Sequence, residues 1–229
     1  MRRVGCLGGL RFGLGLVLLA CVGLVQAEPD AMMWLKKIQG ATQKLSYSGT
    51  VIYQQGDRTE TSRITRLVDG AGEVEKLEFM DGAPREIVRT KDVVRCYLPE
   101  SRTIKVDRRV EQRSFPALLP QNFEKLSEHY DITLGENRRI AGYDCREVVL
   151  RPRDDFRYGY SLWADSQSGM LLRARTFDRQ GATVEQFTFT HLRIGHVTRE
   201  QTRTRHSARN WRVEEIGRAS CRERVYVLV

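Results

Sequence analysis

The apolar positions of this chain change period early, from helical to alternating. Ala31, Trp34, Leu35, Ile38, Ala41 and Leu45 recur every three or four residues, behind Pro29 and Asp30 and with Lys36, Lys37 and Gln39 between them. That spacing predicts an amphipathic helix whose apolar stripe must lie on another surface. From Tyr47 onward the pattern shortens to alternation broken by turn residues. Strands are predicted over residues 47–54, 59–68, 74–80, 85–90, 93–98 and 102–107, with Gln55-Gly56-Asp57, Asp69-Gly70-Ala71-Gly72 and Asp81-Gly82-Ala83-Pro84 among the turns. Leu77 and Phe79 oppose Lys76 and Glu78, and Ile104 and Val106 oppose Thr103 and Lys105, as half-buried strands require.

One segment interrupts the series. Ser114–Tyr130 carries two prolines and a cluster of Phe115, Leu118, Leu119, Phe123 and Leu126 without alternation, which predicts one or two short helices in a long connection. Strands resume over residues 144–150, 158–164, 171–177 and 184–194. In the last of these Phe187 and Phe189 share one parity while Leu192 and Ile194 share the other, so a bulge is expected between them. About ten strands and few helices give an α+β fold, mainly antiparallel: a large curved sheet covered by short helices. So little helix over so large a curved sheet favours an apolar hollow between them, with Trp34, Leu35, Ile38, Phe115, Leu118, Leu119, Phe123, Phe187 and Phe189 as its candidate lining. A fully packed core is the alternative, which periodicity does not separate from the first.

Both ends read differently from the middle. Residues 1–27 combine a basic start (Arg2, Arg3), an apolar stretch Phe12–Val25 and small or apolar residues Val25 and Ala27 before the expected cut, the pattern of a secretory signal. The rivals are a membrane anchor, for which the stretch is short against ~20 residues, and lipoprotein processing at Cys21. At the other end Glu215–Val225 (EIGRASCRERV) reads as the translation of a sequencing adapter, so residues 215–229 are expected to be read-through; a basic tail is the rival. Residues 28–214 form the expected single domain.

Composition is that of an ordinary globular chain, 41% hydrophobic and 29% charged, which excludes disordered, collagenous and coiled-coil classes. The formal net charge of +9 overstates the domain. Without Arg2, Arg3, Arg11, Arg218, Arg222 and Arg224 on one side and Glu215 and Glu223 on the other, 32 basic and 27 acidic residues remain, a net of +5. Basic clusters at Lys105–Arg113 and Arg199–Arg212 are read as solvated faces or as contacts for lipid phosphates or an acidic peptide; export argues against nucleic acid. Cys96 and Cys145 are the cysteines left between the two ends. In an exported chain a bridge between them would close a loop of about 50 residues and stabilise by ~3–4 kcal/mol, whereas Cys96 in Val94–Leu98 also suits a half-buried strand.

Catalytic chemistry has no foothold. Gly-x-Ser-x-Gly, His-Glu-x-x-His, Gly-x-Gly-x-x-Gly and a phosphate-binding loop are absent. His191 and His196 are read as surface histidines and Asp154-Asp155 as a hairpin tip, so neither an enzyme, a metal site nor a cofactor is expected.

Several segments in order resemble a known family: Met80–Val88 (MDGAPREIV), Tyr130-Asp131-Ile132, Arg139–Cys145 (RIAGYDC), Tyr158–Asp165 (YGYSLWAD), Phe177–Gly181 (FDRQG) and Glu185-Gln186-Phe187. Together they are similar to the RseB/MucB family, periplasmic negative regulators of the envelope-stress sigma factor of Gram-negative bacteria. The resemblance implies a lipoprotein-carrier-like N-terminal domain, an unclosed β-barrel capped by helices, in the periplasm. It also implies binding to the periplasmic region of a membrane anti-sigma factor, shielding of that partner from regulated proteolysis, and sensing of lipid or lipopolysaccharide fragments. A second, smaller C-terminal domain belongs to the family pattern and is expected to be missing here. A lipid or lipoprotein carrier of the same fold is the alternative reading.

Overall fold

The computed structural model describes residues 28–108 and 124–215, so the expected signal segment, Phe115, Leu118, Leu119, Phe123 and residues 216–229 lie outside the described residues. The predicted helix is α1, Glu28–Lys44. The centre of its stripe is inserted, with Ala31, Leu35 and Ile38 inaccessible to solvent and Ala41 nearly so, while Trp34 and Leu45 are half-buried at its margins. Burying a leucine or isoleucine side chain this completely stabilises by about 1.5–3 kcal/mol.

Among the described residues twelve strands follow in one sheet. They are β1 (Tyr47–Gln55), β2 (Arg58–Asp69), β3 (Gly72–Phe79), β4 (Arg85–Thr90), β5 (Val94–Leu98) and β6 (Thr103–Asp107), then β7 (Tyr130–Ile140), β8 (Tyr143–Pro152), β9 (Gly159–Asp165), β10 (Leu171–Phe177), β11 (Thr183–Ile194) and β12 (Arg212–Glu215). A short helix, α2 (Glu124–His129), precedes β7 and accounts for part of the predicted helical connection. The order across the sheet is β12-β6-β5-β4-β3-β2-β1-β11-β10-β9-β8-β7. Neighbours pair antiparallel except β12, which lies parallel to β6. The sheet begins at β12 and ends at β7 without joining itself, so the expected unclosed barrel is the observed architecture.

Two strands exceed the predicted ten. β7 was hidden because its second half, Gly135-Glu136-Asn137-Arg138-Arg139, is polar and largely exposed, and its pairing with β8 slips between Leu134 and Asn137. Such composition suits the edge of a sheet, where one side of the strand meets water. β12 is four residues long and owes its pairing to a partner more than a hundred residues away, a contact that local pattern does not encode.

The bulge predicted in β11 is present. Thr50 pairs with His191 and Val51 with Phe189, which leaves Thr190 as the extra residue and turns Phe187, Phe189 and Leu192 all to the core. Opposite it Gly49 leaves no room: a Cβ there would stand 2.4 Å from the His191 carbonyl oxygen and 2.9 Å from the Phe189 ring. The β9–β10 turn is fitted to α1 in a similar way. Gly169 has φ +77° and its missing Cβ would fall 2.7 Å from Lys37, while Lys37 Nζ donates to the Ser166 carbonyl at 2.6 Å. The Asp165 carboxylate accepts from the Ser168 amide at 2.7 Å and its hydroxyl at 2.6 Å, which closes the turn.

After β11 the chain crosses the outer face of β2 and β3 as a strap, residues 195–211, before adding β12 at the far edge. Arg205 Nε reaches Glu78 Oε1 at 2.9 Å, Lys76 Nζ donates to the Arg203 carbonyl at 3.2 Å, and Arg199 pairs with Asp69. The Arg199–Arg212 cluster is therefore partly engaged in holding the strap to the sheet.

Candidate functional site

The inner face of the sheet, under α1, is where the predicted lining residues converge. α1 packs on β7, β8 and β10. Cross-strand register aligns Val148, Leu162, Ala174 and Phe187 in one row, and Phe189 beside Val51 in the next. Leu35, Ile38, Phe187 and Phe189 all belong to this buried cluster, and Trp34 is half-buried on its flank with Lys37 Nζ 4.8 Å above its ring. Phe189 meets Tyr47 edge-on at 6.0 Å and Phe187 at 6.5 Å, geometries in which a ring edge faces a ring π-cloud. In the described arrangement these five residues pack against one another and their neighbours. Four further candidates, Phe115, Leu118, Leu119 and Phe123, lie outside the described residues.

The same inner face turns ionic toward the β2–β4 side, which the sequence did not announce. Tyr47 pairs across to Arg66, Arg66 to Glu75 and Glu75 to Arg89, so alternation carries all four inward with Ile64, Leu77 and Ile87. Arg66 is 2% exposed, its guanidinium 2.7 Å from Glu73 and 3.5 Å from Glu75. Burial pushes the Tyr47 hydroxyl well above its ordinary range, Glu75 adding to it, and burial draws Arg89 downward against the opposing pull of Glu75 and Glu73. Among the described residues the Tyr47 hydroxyl and Arg66 Nε have no hydrogen-bond partner. The available signal was positional: Arg66, Glu75 and Arg89 occupy the inward parity of their strands.

Cys96 and Cys145 are both buried, on β5 and β8, eight places apart in the sheet order, and they are held as thiols; the bridge weighed from the sequence is not formed. Burial, with Asp165 second, pushes the Cys145 thiol up to about 12. His191 and His196 are exposed, and the Asp154-Asp155 tip pairs with Arg157 and Arg179. Among the described residues no group of three His, Cys, Asp or Glu is placed to hold a metal, and no helix is long and apolar enough to cross a membrane. The inner face thus joins a packed apolar cluster under α1 to a buried ionic group on β2–β4.

Comparison with known proteins bears on the same region. The MucB/RseB N-terminal domain model matches residues 30–209. The sigma factor AlgU regulatory protein MucB of Pseudomonas aeruginosa is 29% identical over 191 residues, 80% of this chain and 58% of that protein. The sigma-E factor regulatory protein RseB of Escherichia coli K12 is 33% identical over 165 residues, 70% of this chain and 51% of that protein. The solved MucA/MucB complex of Pseudomonas aeruginosa contains a chain that superposes with a TM-score of 0.64 at 26% identity, covering 76% of this chain and 61% of that one. The chain thus spans between half and three fifths of the length of these relatives. Because the matched stretch takes in α1, β1 through β11 and most of the strap, the chain belongs to the MucB/RseB N-terminal domain family.

Proposed function

We propose that this chain is the sensing part of a periplasmic regulator, one that holds the periplasmic region of a membrane anti-sigma factor and shields it from regulated proteolysis. In this reading lipid or lipopolysaccharide fragments enter between α1 and the inner face and loosen that hold. The observation that carries the reading is the family match over residues 30–209, together with a solved relative described as MucB in complex with MucA(peri). The apolar floor of Leu35, Ile38, Phe187 and Phe189 suits acyl chains. Thermodynamically the lipid must bind the released form better than the partner-bound form, since only that difference in affinity shifts the balance.

Capture tests it. The full-length gene product, immobilised, is expected to retain the periplasmic region of the anti-sigma factor from the same organism and to release it when lipopolysaccharide fragments are added. Protease digestion of that partner should slow in the complex and recover with lipid. Absence of capture defeats the regulatory reading. Transfer of bound lipid to acceptor vesicles without any capture would favour the carrier instead.

A further inference from the structure

The outer face of the β7–β11 half of the sheet carries a hollow of about 780 Å3 that the proposed function does not use. Alternation sends Leu162 and Ala174 inward to the core and leaves Ser161, Arg173 and Arg175 on this outer face, with Trp163 as part of its floor. The Arg173 guanidinium lies 4.8 Å over the Trp163 ring and the Arg175 guanidinium 5.3 Å over the Phe177 ring. A guanidinium stacked on an aromatic face is held in orientation while its N–H edge stays available for a partner in its plane.

The rim and the floor of this hollow differ in how their charges are answered. On the rim Arg153 pairs with Asp131 at 2.9 Å, Arg179 with Asp155 at 3.1 Å and Arg138 with Glu136 at 3.3 Å. On the floor the hydrogen bonds of Arg173 and Arg175 go to an amide and a hydroxyl, Gln186 Oε1 at 2.8 Å and Ser161 Oγ at 3.5 Å. Gln186 is itself anchored, its Nε2 donating to Gln54 Oε1 at 3.0 Å, so Arg173 is held at one corner. Among the described residues the Nε of both arginines and the Nε1 of Trp163, a residue 4% exposed, have no hydrogen-bond partner. Glu147 also lines the hollow, but its Oε2 accepts from the Glu136 amide at 3.1 Å and is tucked over Gly135, where a Cβ would meet it at 2.2 Å. Burial and the neighbouring Arg138 and Arg175 draw the Arg173 pKa below its ordinary value, against the opposing pull of Glu147, and an arriving anion would add to that pull.

We infer that this hollow is a binding site for a small molecule bearing an oxyanion, carboxylate or phosphate, whose oxygens accept from Arg173 and Arg175. Paired arginines match such groups through two parallel charge-assisted bonds. The volume lies within the range of small-molecule sites. The inference is independent of the proposed function, because it rests on the opposite face of the sheet from α1.

Trp163 supplies the reporter. In the full chain carrying Trp34→Phe and Trp211→Phe, Trp163 is the remaining tryptophan. Its emission is followed during titration with inorganic phosphate and, separately, with succinate, at ionic strength held constant with sodium chloride. A saturable change with either anion is expected. Arg173→Gln/Arg175→Gln should weaken it by about tenfold or more, the scale of one lost charge-assisted bond, while Arg209→Gln leaves it unchanged. If the double glutamine variant does not fold, Arg173→Lys/Arg175→Lys keeps the charge, removes the fork and should still weaken binding. Phosphate or succinate saturating alone assigns the group recognised. Saturation that survives both double variants, or emission that never saturates with either anion, overturns the site.

Discussion

The two halves of the sheet solve the same folding problem with opposite chemistry. On the β7–β11 side the inner face is apolar and roofed by α1, while arginines stand on the outer face over Trp163 and Phe177. On the β2–β4 side the inner face carries Arg66, Glu75 and Arg89, and the strap covers part of the outer face. The first half can yield to a greasy ligand without exposing charge. The second holds charges that are tolerable indoors only while they answer one another. Under the proposed function this division is a reason to look for lipid under α1 and not beneath β3.

The sharpest way to break that contrast is to remove one partner of the buried ion group. Arg66→Met leaves Glu75, which is 8% exposed, with Arg89 alone to answer it on the inner face. A loss of about 3–5 kcal/mol is expected, read as a shift in the urea unfolding midpoint. A loss under about 1 kcal/mol would mean the group is not buried in solution. Replacing Arg66, Glu75 and Arg89 together by apolar residues should recover much of the loss, because the inward charges that answered one another are then gone together.

On the apolar side Leu35→Ala empties a site that is fully closed to solvent, at an expected cost of about 2–5 kcal/mol. If α1 yields as the functional reading requires, the cost should sit near the lower bound, since a mobile roof can settle into the gap. Hydrogen exchange of the α1 amides in the variant distinguishes settling from an open cavity: faster exchange confined to α1 indicates the former.

Much of this division was legible in the sequence, and its gaps have physical causes. The α1 stripe, ten strands and the phase slip between Phe189 and Leu192 are local patterns, and each appears as read. Leu35, Ile38, Phe187 and Phe189 meet because strand parity and helical spacing both record which side is dry. Two strands escaped notice for different reasons. β7 has the composition of an exposed edge, and β12 is defined by a partner remote in the chain. The ionic group escaped because charge is ordinarily a sign of the surface. Only the parity of Arg66 relative to Ile64, and of Glu75 relative to Leu77, betrayed that these charges point inward.

Alkaline pH should also reveal how the apolar half is closed. Cys145 titrates near 9 in the unfolded chain and near 12 when folded, because burial disfavours the thiolate. The folded state therefore keeps its proton where the unfolded state has lost it. Stability from this group is complete below about pH 9 and is lost as pH rises toward 12. The Tyr53, Tyr130 and Tyr160 hydroxyls, each pushed up by burial first, move in the same direction. Thermal midpoints measured from pH 8 upward are expected to fall, and Cys145→Ala should flatten that fall. A thiol reagent at pH 8 should reach Cys145 only after unfolding; rapid labelling of the native chain would count against the burial.

The smallest effect is the most discriminating, because it holds geometry nearly constant and changes only the surroundings. Arg153 Nε stands 2.9 Å from Asp131, almost the separation of Arg66 from Glu73 at 2.7 Å. The Arg153 and Asp131 side chains are 48% and 63% exposed, against 2% for Arg66 and 36% for Glu73. Water screens the first pair and solvates either partner when the other is removed, so Arg153→Gln should cost about 0–1 kcal/mol and lose even that at high salt. A double-mutant cycle with Asp131→Asn should return a coupling in the same range, whereas one between Arg66 and Glu73 should return a clearly larger one. Equal couplings would mean that distance alone sets the worth of these pairs, and the contrast between the two halves of the sheet would lose its energetic basis.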